Sequence, residues 1–81
     1  VAEIKGIVRS AEGEPIEGVL VMGADLNYAE TDRSGRFQLR RPEMALFFYC
    51  TGYLPRARVL RAGEECIEVY LRSLGVVRAS V

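Results

Sequence analysis

Thr31, Asp32, Arg33, Ser34, Gly35, Arg36, Phe37, Gln38, Leu39 is the stretch on which the reading of this 81-residue chain turns. Asp32 offers a carboxylate to backbone N–H groups two or three residues on, and Gly35 accepts the positive φ that ends a type I turn in a bulge. The stretch therefore reads as a hairpin. After the turn, Phe37 and Leu39 alternate with Arg36, Gln38 and Arg40, which is the period of a strand and not of a helix. One face of this strand belongs to a core and the other to water.

Upstream, Ile4, Gly6 and Val8 alternate with Glu3, Lys5, Ile7 and Arg9 and predict a first strand. Glu12, Gly13, Glu14, Pro15 form a turn, since glycine supplies positive φ and proline presets its own. Gly18 then precedes Val19, Leu20, Val21, Met22, a short β-branched run that predicts a second strand with Val19 and Val21 inward. Gly23 marks a bulge or a close backbone approach. Asp25 to Asn27 make a loop, and Tyr28 to Thr31 lead into the turn.

Downstream, Arg41, Pro42 and Glu43 end the strand, and the uncharged run from Met44 to Thr51 is the most hydrophobic strand candidate in the chain. With Leu46, Phe48 and Cys50 inward, Phe47 and Tyr49 point outward. Gly52 and Tyr53 close this run, and Pro55 enforces a break. Residues 56 to 61 predict a strand with Arg56 and Arg58 outward and Ala57 and Val59 inward. Residues 64 to 72 read as a strand with Ile67, Val69 and Leu71 inward. They also fit a helix, because Leu60, Gly63, Ile67, Tyr70, Leu71 and Leu74 fall at helical spacing. Gly63 and the β-branched Ile67 and Val69 favour the strand.

Composition bounds what such a domain does. A chain this short supports one domain with a single modest core. No window approaches the roughly 18 apolar residues of a membrane-spanning helix, so no direct membrane insertion is expected. Eleven basic residues balance eleven acidic ones, which gives no argument for nucleic acid or an anionic membrane. The distribution is uneven: residues 1–32 hold seven acids and two bases, and residues 33–61 hold one acid and seven bases. Ten of the eleven bases are arginine, whose guanidinium forks bind carboxylates at two points. Two readings follow. Either the acidic and basic segments meet as surface pairs, or Arg36, Arg40, Arg56 and Arg58 form a basic stripe if their strands are neighbours, suited to an acidic polysaccharide or an acidic protein.

Catalysis finds little to stand on. The chain has no histidine, so general acid–base work at neutral pH lacks its commonest agent, and Ser10, Ser34, Ser73 and Ser80 lack an activating partner. Glu12, Glu14 and Glu17 cluster at a turn, as do Glu64 and Glu65, where charged side chains are solvated. No glycine loop cradles phosphate. Cys50 and Cys66 match no zinc spacing and read as two separate thiols, a single bridge being the alternative in an oxidising compartment. Glu30 and Asp32 are too few to hold calcium, and Asp32 is better explained by its turn. No cofactor, metal or catalytic residue is expected.

Ile4 to Gly6 and Val8, then Gly13, Glu14, Pro15, Ile16, Gly18, Val19 and Val21, then Thr31, Asp32, Gly35, Phe37 and Leu39, then Leu46, Phe48, Gly52 and Tyr53, and finally Val69 and Leu71, together resemble the carboxypeptidase regulatory-like domain family over about residues 4 to 72. Met44, where an aromatic is frequent, and Cys50 depart from that pattern. The resemblance implies an all-β, seven-stranded antiparallel sandwich of the transthyretin-like, immunoglobulin-like Greek-key type, with residues 1–72 as the domain and 73–81 as a tail. It implies a strand at 66–72 and structural turns at Asp32, Gly35, Gly18 and Gly52.

The resemblance also implies a noncatalytic accessory module of a larger bacterial protein that is secreted, periplasmic or associated with the cell envelope. Its partner would be a neighbouring domain or another protein. A small-molecule or glycan-binding sandwich is the alternative; Tyr28, Tyr53 and Tyr70 would stand in for the absent tryptophan. The outward pair Phe47 and Tyr49 reads as a protein-contact surface or as a surface covered by a neighbouring domain or the tail. Val76, Val77, Ala79 and Val81 make the tail either an added edge strand, with self-association as one outcome, or a linker. The start at Val1 without methionine reads as a processed form or an excised piece.

Overall fold

The computed structural model describes residues 3–75, and every regular element among them is a strand. In chain order these are β1 (Glu3–Ser10), β2 (Leu20–Gly23), β3 (Tyr28–Glu30), β4 (Arg36–Arg40), β5 (Ala45–Tyr49), β6 (Arg56–Val59) and β7 (Cys66–Leu71). They form two sheets, one ordered β4-β1-β7 and the other β3-β2-β5-β6. Alternation delivers the core directly: Ile4, Val8, Phe37, Leu39, Ile67, Val69 and Leu71 from the first sheet meet Val19, Val21, Leu46 and Phe48 from the second. Phe37 and Phe48 stand edge to face with ring centroids 5.8 Å apart, a contact worth roughly 0.5–1.5 kcal/mol beyond its buried area.

The segment that fits both periods is a strand. β7 pairs with β1 from Lys5 opposite Cys66 to Ser10 opposite Leu71, and Ile67, Val69 and Leu71 are buried as alternation required. A helix there would leave one edge of β1 without hydrogen bonds, a cost that local propensities of a few tenths of a kcal/mol per residue do not offset. The pairing is parallel, which corrects the expectation of a wholly antiparallel sandwich. A tight turn forces its two strands to run antiparallel, but β1 and β7 are joined by most of the chain and carry no such restriction.

The turn at Asp32 has the local chemistry its residues predicted. Asp32 Oδ1 accepts the N–H of Ser34 at 2.8 Å and of Arg36 at 2.9 Å. The Gly35 N–H donates to the Asp32 carbonyl at 2.8 Å, and Gly35 has φ +76°. It does not join two paired strands, however, because β3 belongs to one sheet and β4 to the other. The turn is an arch between layers, and the backbone on either side shows why. Thr31 exchanges hydrogen bonds with Gly18 and Val19 beside its own sheet, while the Gly35 carbonyl accepts Val8 N–H from the opposite one.

Thr31 also seals the interior at this point. Its hydroxyl accepts the Val19 N–H at 2.8 Å and donates to the Ile16 carbonyl at 2.7 Å, so two buried backbone groups outside any strand find partners. Close backbone approach explains two of the glycines. A Cβ on Gly6 would lie 2.8 Å from Phe37 Cζ, and one on Gly23 would lie 2.7 Å from Pro42 Cβ. The ring of Phe37 therefore needs the bare backbone of β1 beneath it.

β6 departs from its predicted orientation. Leu46 stands opposite Arg58 and Phe48 opposite Arg56, so both arginines share the inner face of the sheet, and Val59 is 75% exposed. Ala57 and Val59 face out, the reverse of the expectation. β6 lies at the edge, where only the rim of the core is beneath it, and long arginine stems cover that rim while their charged heads reach polar groups. Arg56 donates to the Tyr70 carbonyl at 2.8 Å, and Arg58 meets Glu64 at 2.6 Å.

Arg41 ties the same end together by donating to the carbonyls of Glu64 and Arg61. At the neighbouring corner, Leu54 N–H donates to the Arg72 carbonyl, Leu74 N–H donates to the Gly52 carbonyl, and Tyr53 bridges to Ser73. The first residues assigned to the tail thus pair with the body of the sandwich. The strand-or-linker reading of residues 76–81 lies outside the described residues, as does that of the start at Val1. Cys50 is half-buried against the core and Cys66 is exposed, and the two are unbonded.

Candidate functional site

The two outer faces of the sandwich differ in kind. On the three-stranded sheet, strand register brings Glu3 opposite Arg40, Lys5 between Gln38 and Cys66, Ile7 between Arg36 and Glu68, and Arg9 opposite Tyr70. Charges of both signs alternate there, and Arg9 pairs with Glu68 at 2.9 Å. This is a solvated face. Paired surface charges of this sort contribute about 0–1 kcal/mol each.

The outer face of the four-stranded sheet is apolar across its width. Register aligns Tyr28, Met22, Phe47 and Ala57 in one row running over all four strands. A second row holds Glu30, Leu20 and Tyr49, and Ala45 lies beside Val59 in a third. Glu30 at the margin is the only charge in these rows. The inner positions of the same strands hold Val21, Leu46 and Phe48 with no exposure, so the outward residues serve no part of the sandwich's own core. Tyr28 is 66% exposed and Tyr49 43%.

Phe47 and Tyr49, read from the sequence as outward, lie on this face as expected. Their company was not read. The sequence puts Val19 and Val21 inward, Tyr28 in a lead-in to a turn and Val59 in the core, and it does not show that Leu20 and Met22 stand beside Phe47 and Tyr49, because the neighbours across a sheet are set by register and not by local spacing. The available signal was the absence of any charge at the outward positions of β2 and β5, where a half-solvated strand ordinarily carries polar side chains.

At the end of the β2–β3 hairpin, Leu26 has φ +70° and its side chain is 72% exposed. A left-handed leucine is costly, by roughly 1–2 kcal/mol for a residue with a Cβ, at a turn position where glycine is the ordinary choice. Leu26→Gly is accordingly expected to raise stability by about 0.5–1 kcal/mol, the relief being partly offset by the greater freedom of glycine in the unfolded chain. Urea denaturation measures it; an unchanged or lower midpoint would show that the leucine contributes contacts to the folded monomer.

The four arginines do not gather. Arg36 and Arg40 lie on β4 at the outside of one sheet, Arg56 and Arg58 on β6 at the inner rim of the other, and the two strands are not neighbours. A single basic stripe needed them adjacent. Arg58 and Arg56 are engaged in closing the sandwich, and Arg40 is 3.7 Å from Asp25.

A groove of about 560 Å³ opens beside Gly6 and Phe37, with Lys5, Arg36, Glu30 and Asp32 around its mouth. The lining thus carries two cations and two carboxylates, and no buried side-chain donor or acceptor among the described residues is left without a partner. Ser10 directs its hydroxyl to the N–H groups of Glu12 and Glu14, which is a turn-forming role. Among the described residues no three of His, Cys, Asp and Glu gather as metal ligands, and no helix is long and apolar enough to cross a membrane. Gly18, Gly35 and Gly52 all have positive φ, as the turns they were assigned to require. No protein-family model matches the chain, and no curated protein sequence matches it at a significant level.

Proposed function

We propose that this domain is a noncatalytic interaction module that works through the outer face of its four-stranded sheet. The observation that carries the reading is the row Tyr28, Met22, Phe47 and Ala57 across all four strands, with no charge inside the rim of the face. Sheets that turn one face to water place polar residues there, and contiguous apolar patches on a surface mark sites of contact. The reading extends to the transthyretin-like Greek-key sandwich and the carboxypeptidase regulatory-like family. Seven strands in two sheets, the arch at Asp32 and the strand at Cys66–Leu71 support it. Within that family reading, the module belongs to a larger protein that is secreted or associated with the cell envelope, and its partner is a neighbouring domain or another protein.

A second reading, a small-molecule binder, is favoured by the groove beside Gly6 and Phe37. One experiment separates the two. With the backbone and methyl resonances assigned, the chain is titrated with a set of small apolar and aromatic fragments. The interaction reading expects shifts centred on Met22, Ala45 and Ala57, and the alternative expects them at Lys5, Gly6 and Ile67. Fragments that perturb neither region would remove both.

A further inference from the structure

We infer that the open edge of β7 takes up an extended segment of another protein as an added strand of the three-stranded sheet. The apolar face lies on the other sheet, so this site does not depend on it. The ladder between β1 and β7 shows which backbone groups the edge presents. Lys5 N–H donates to the Glu65 carbonyl at 2.9 Å, and in a parallel ladder of this register the backbone groups of Glu65, Ile67 and Val69 then turn toward β1. Those of Cys66, Glu68 and Tyr70 turn away. Two contacts agree with this alternation: the Tyr70 carbonyl accepts from the Arg56 guanidinium at 2.8 Å, and the Arg72 carbonyl accepts the Leu54 N–H at 2.9 Å. Among the described residues nothing pairs with the N–H or C=O of Cys66 and Glu68, or with the N–H of Tyr70. All three residues are exposed.

The other three edges are obstructed. β3 is three residues long. β6 is four residues long and carries Arg56 and Arg58 on its inner side, and short strands and inward charges are the ordinary obstacles to strand addition. On β4, Asp32 holds both backbone groups of Arg36, at 2.9 Å and 3.0 Å, and the Asn27 side chain donates to the Arg40 carbonyl at 2.9 Å. Gln38 is left between two capped ends. β7 is six residues long, and no such cap covers its Cys66 end.

The chemistry of the edge names its occupant. Donors and acceptors repeating about every 6.6 Å along a strand are matched by another extended backbone, and not by a small molecule or a lipid surface. A second copy is a poor match. A twofold axis that pairs Cys66 with Tyr70 along the whole of β7 passes through Glu68 and sets it against its own copy, and like charges directly opposite are destabilising.

Charge gives the segment its polarity. At the Tyr70 end, Arg56 and Arg72 have no carboxylate partner among the described residues, and at the Cys66 end Glu65 has no cation. The segment therefore carries an acidic side chain beside Tyr70 and a basic one beside Cys66.

The probe is a short, terminally blocked peptide of alternating threonine and valine, with an aspartate near its N-terminus and a lysine near its C-terminus. Running antiparallel to β7, it meets both charged ends with the opposite sign. Titrated to about 5 mM against the full chain, it is expected to shift the amide resonances of Cys66, Glu68 and Tyr70 and to leave Gln38 unmoved. The same peptide with every amide nitrogen methylated is expected to shift none of them, because main-chain hydrogen bonds supply the affinity of an added strand. Exchanging its aspartate and lysine is expected to weaken binding at least threefold at low salt, with the difference shrinking in about 0.5 M NaCl. Glu68→Pro removes an edge N–H without removing a bond to β1, and is expected to weaken binding at least tenfold.

No shift along β7 would overturn the proposal. So would shifts that the methylated peptide reproduces, or equal shifts at Gln38. Equal binding of the charge-exchanged peptide would overturn the assigned polarity. If Glu68→Pro does not fold, the methylated peptide on the unaltered chain carries the decision. Resonances of Cys66 and Glu68 that move with the concentration of the chain alone would make a second copy the occupant, and the assignment to another protein would fall.

Discussion

Thr31→Val lowers the free energy of unfolding by about 2–4 kcal/mol. The substitution keeps the shape and the β-branch but removes the hydroxyl, and with it the partner of the Val19 N–H and of the Ile16 carbonyl. Both are in the interior beside residues that are themselves buried, so water does not replace what is lost. Leaving a buried group unpaired costs about 1–3 kcal/mol, and here there are two. A domain of this length has a total stability of the order of 4–12 kcal/mol. The variant therefore loses a large fraction of it, and its melting temperature falls by at least about 8 °C. Thr31→Ser retains the hydroxyl and is expected to lose about 1 kcal/mol for the missing methyl group. Equal destabilisation of the two variants in urea titrations would show that the methyl, and not the hydrogen bonds, is what the site needs.

Gly35→Ala and Gly52→Ala are expected to differ by about 1–3 kcal/mol, although both glycines have positive φ. Each alanine meets the penalty of a left-handed conformation, about 1–2 kcal/mol. At Gly52 that is the whole effect, because nothing lies within 4 Å of the added Cβ. At Gly35 the Cβ would stand 2.6 Å from the Val8 carbonyl oxygen and 3.0 Å from Pro15 Cβ. Neither neighbour retreats cheaply. The Val8 carbonyl accepts the Ile16 N–H, and the Val8 N–H is bound in turn to the Gly35 carbonyl. Overpacking of this kind adds about 1–3 kcal/mol, for a total of about 2–5 kcal/mol. Equal losses at the two positions, measured by chemical denaturation, would mean that the arch at Asp32 moves away from β1 without cost.

These two sites show where sequence and structure part company. Thr31 opened the most legible stretch of the chain, yet its hydroxyl had no visible role, because its partners Val19 and Ile16 lie far off in sequence. Gly35 and Gly52 read alike as turn glycines, and only the packing of the arch against Val8 separates them. The candidate site divides in the same way. The outward direction of Phe47 and Tyr49 follows from the run they belong to. That Met22, Tyr28 and Ala57 complete a row with Phe47 follows from register.

The sequence alone determined that the chain up to residue 61 is built of strands, with residues 64–72 open to either period, and which residues of most strands face inward: Ile4 and Val8, Val19 and Val21, Phe37 and Leu39, Leu46 and Phe48 are all buried. It also determined the chemistry of the turn at Asp32. These are properties of a few consecutive residues, since side chains on an extended backbone alternate whatever the strand is paired with. The tertiary structure decided that Asp32 to Gly35 arches between sheets and that β1 and β7 run parallel. It also decided that β6 turns its arginines inward and that one outer face is apolar while the other is charged. Pairing is a matter of which distant backbone supplies the missing hydrogen bonds. Loop closure costs only slightly more for long connections than for short ones, so nothing in the local spacing of residues specifies the partner.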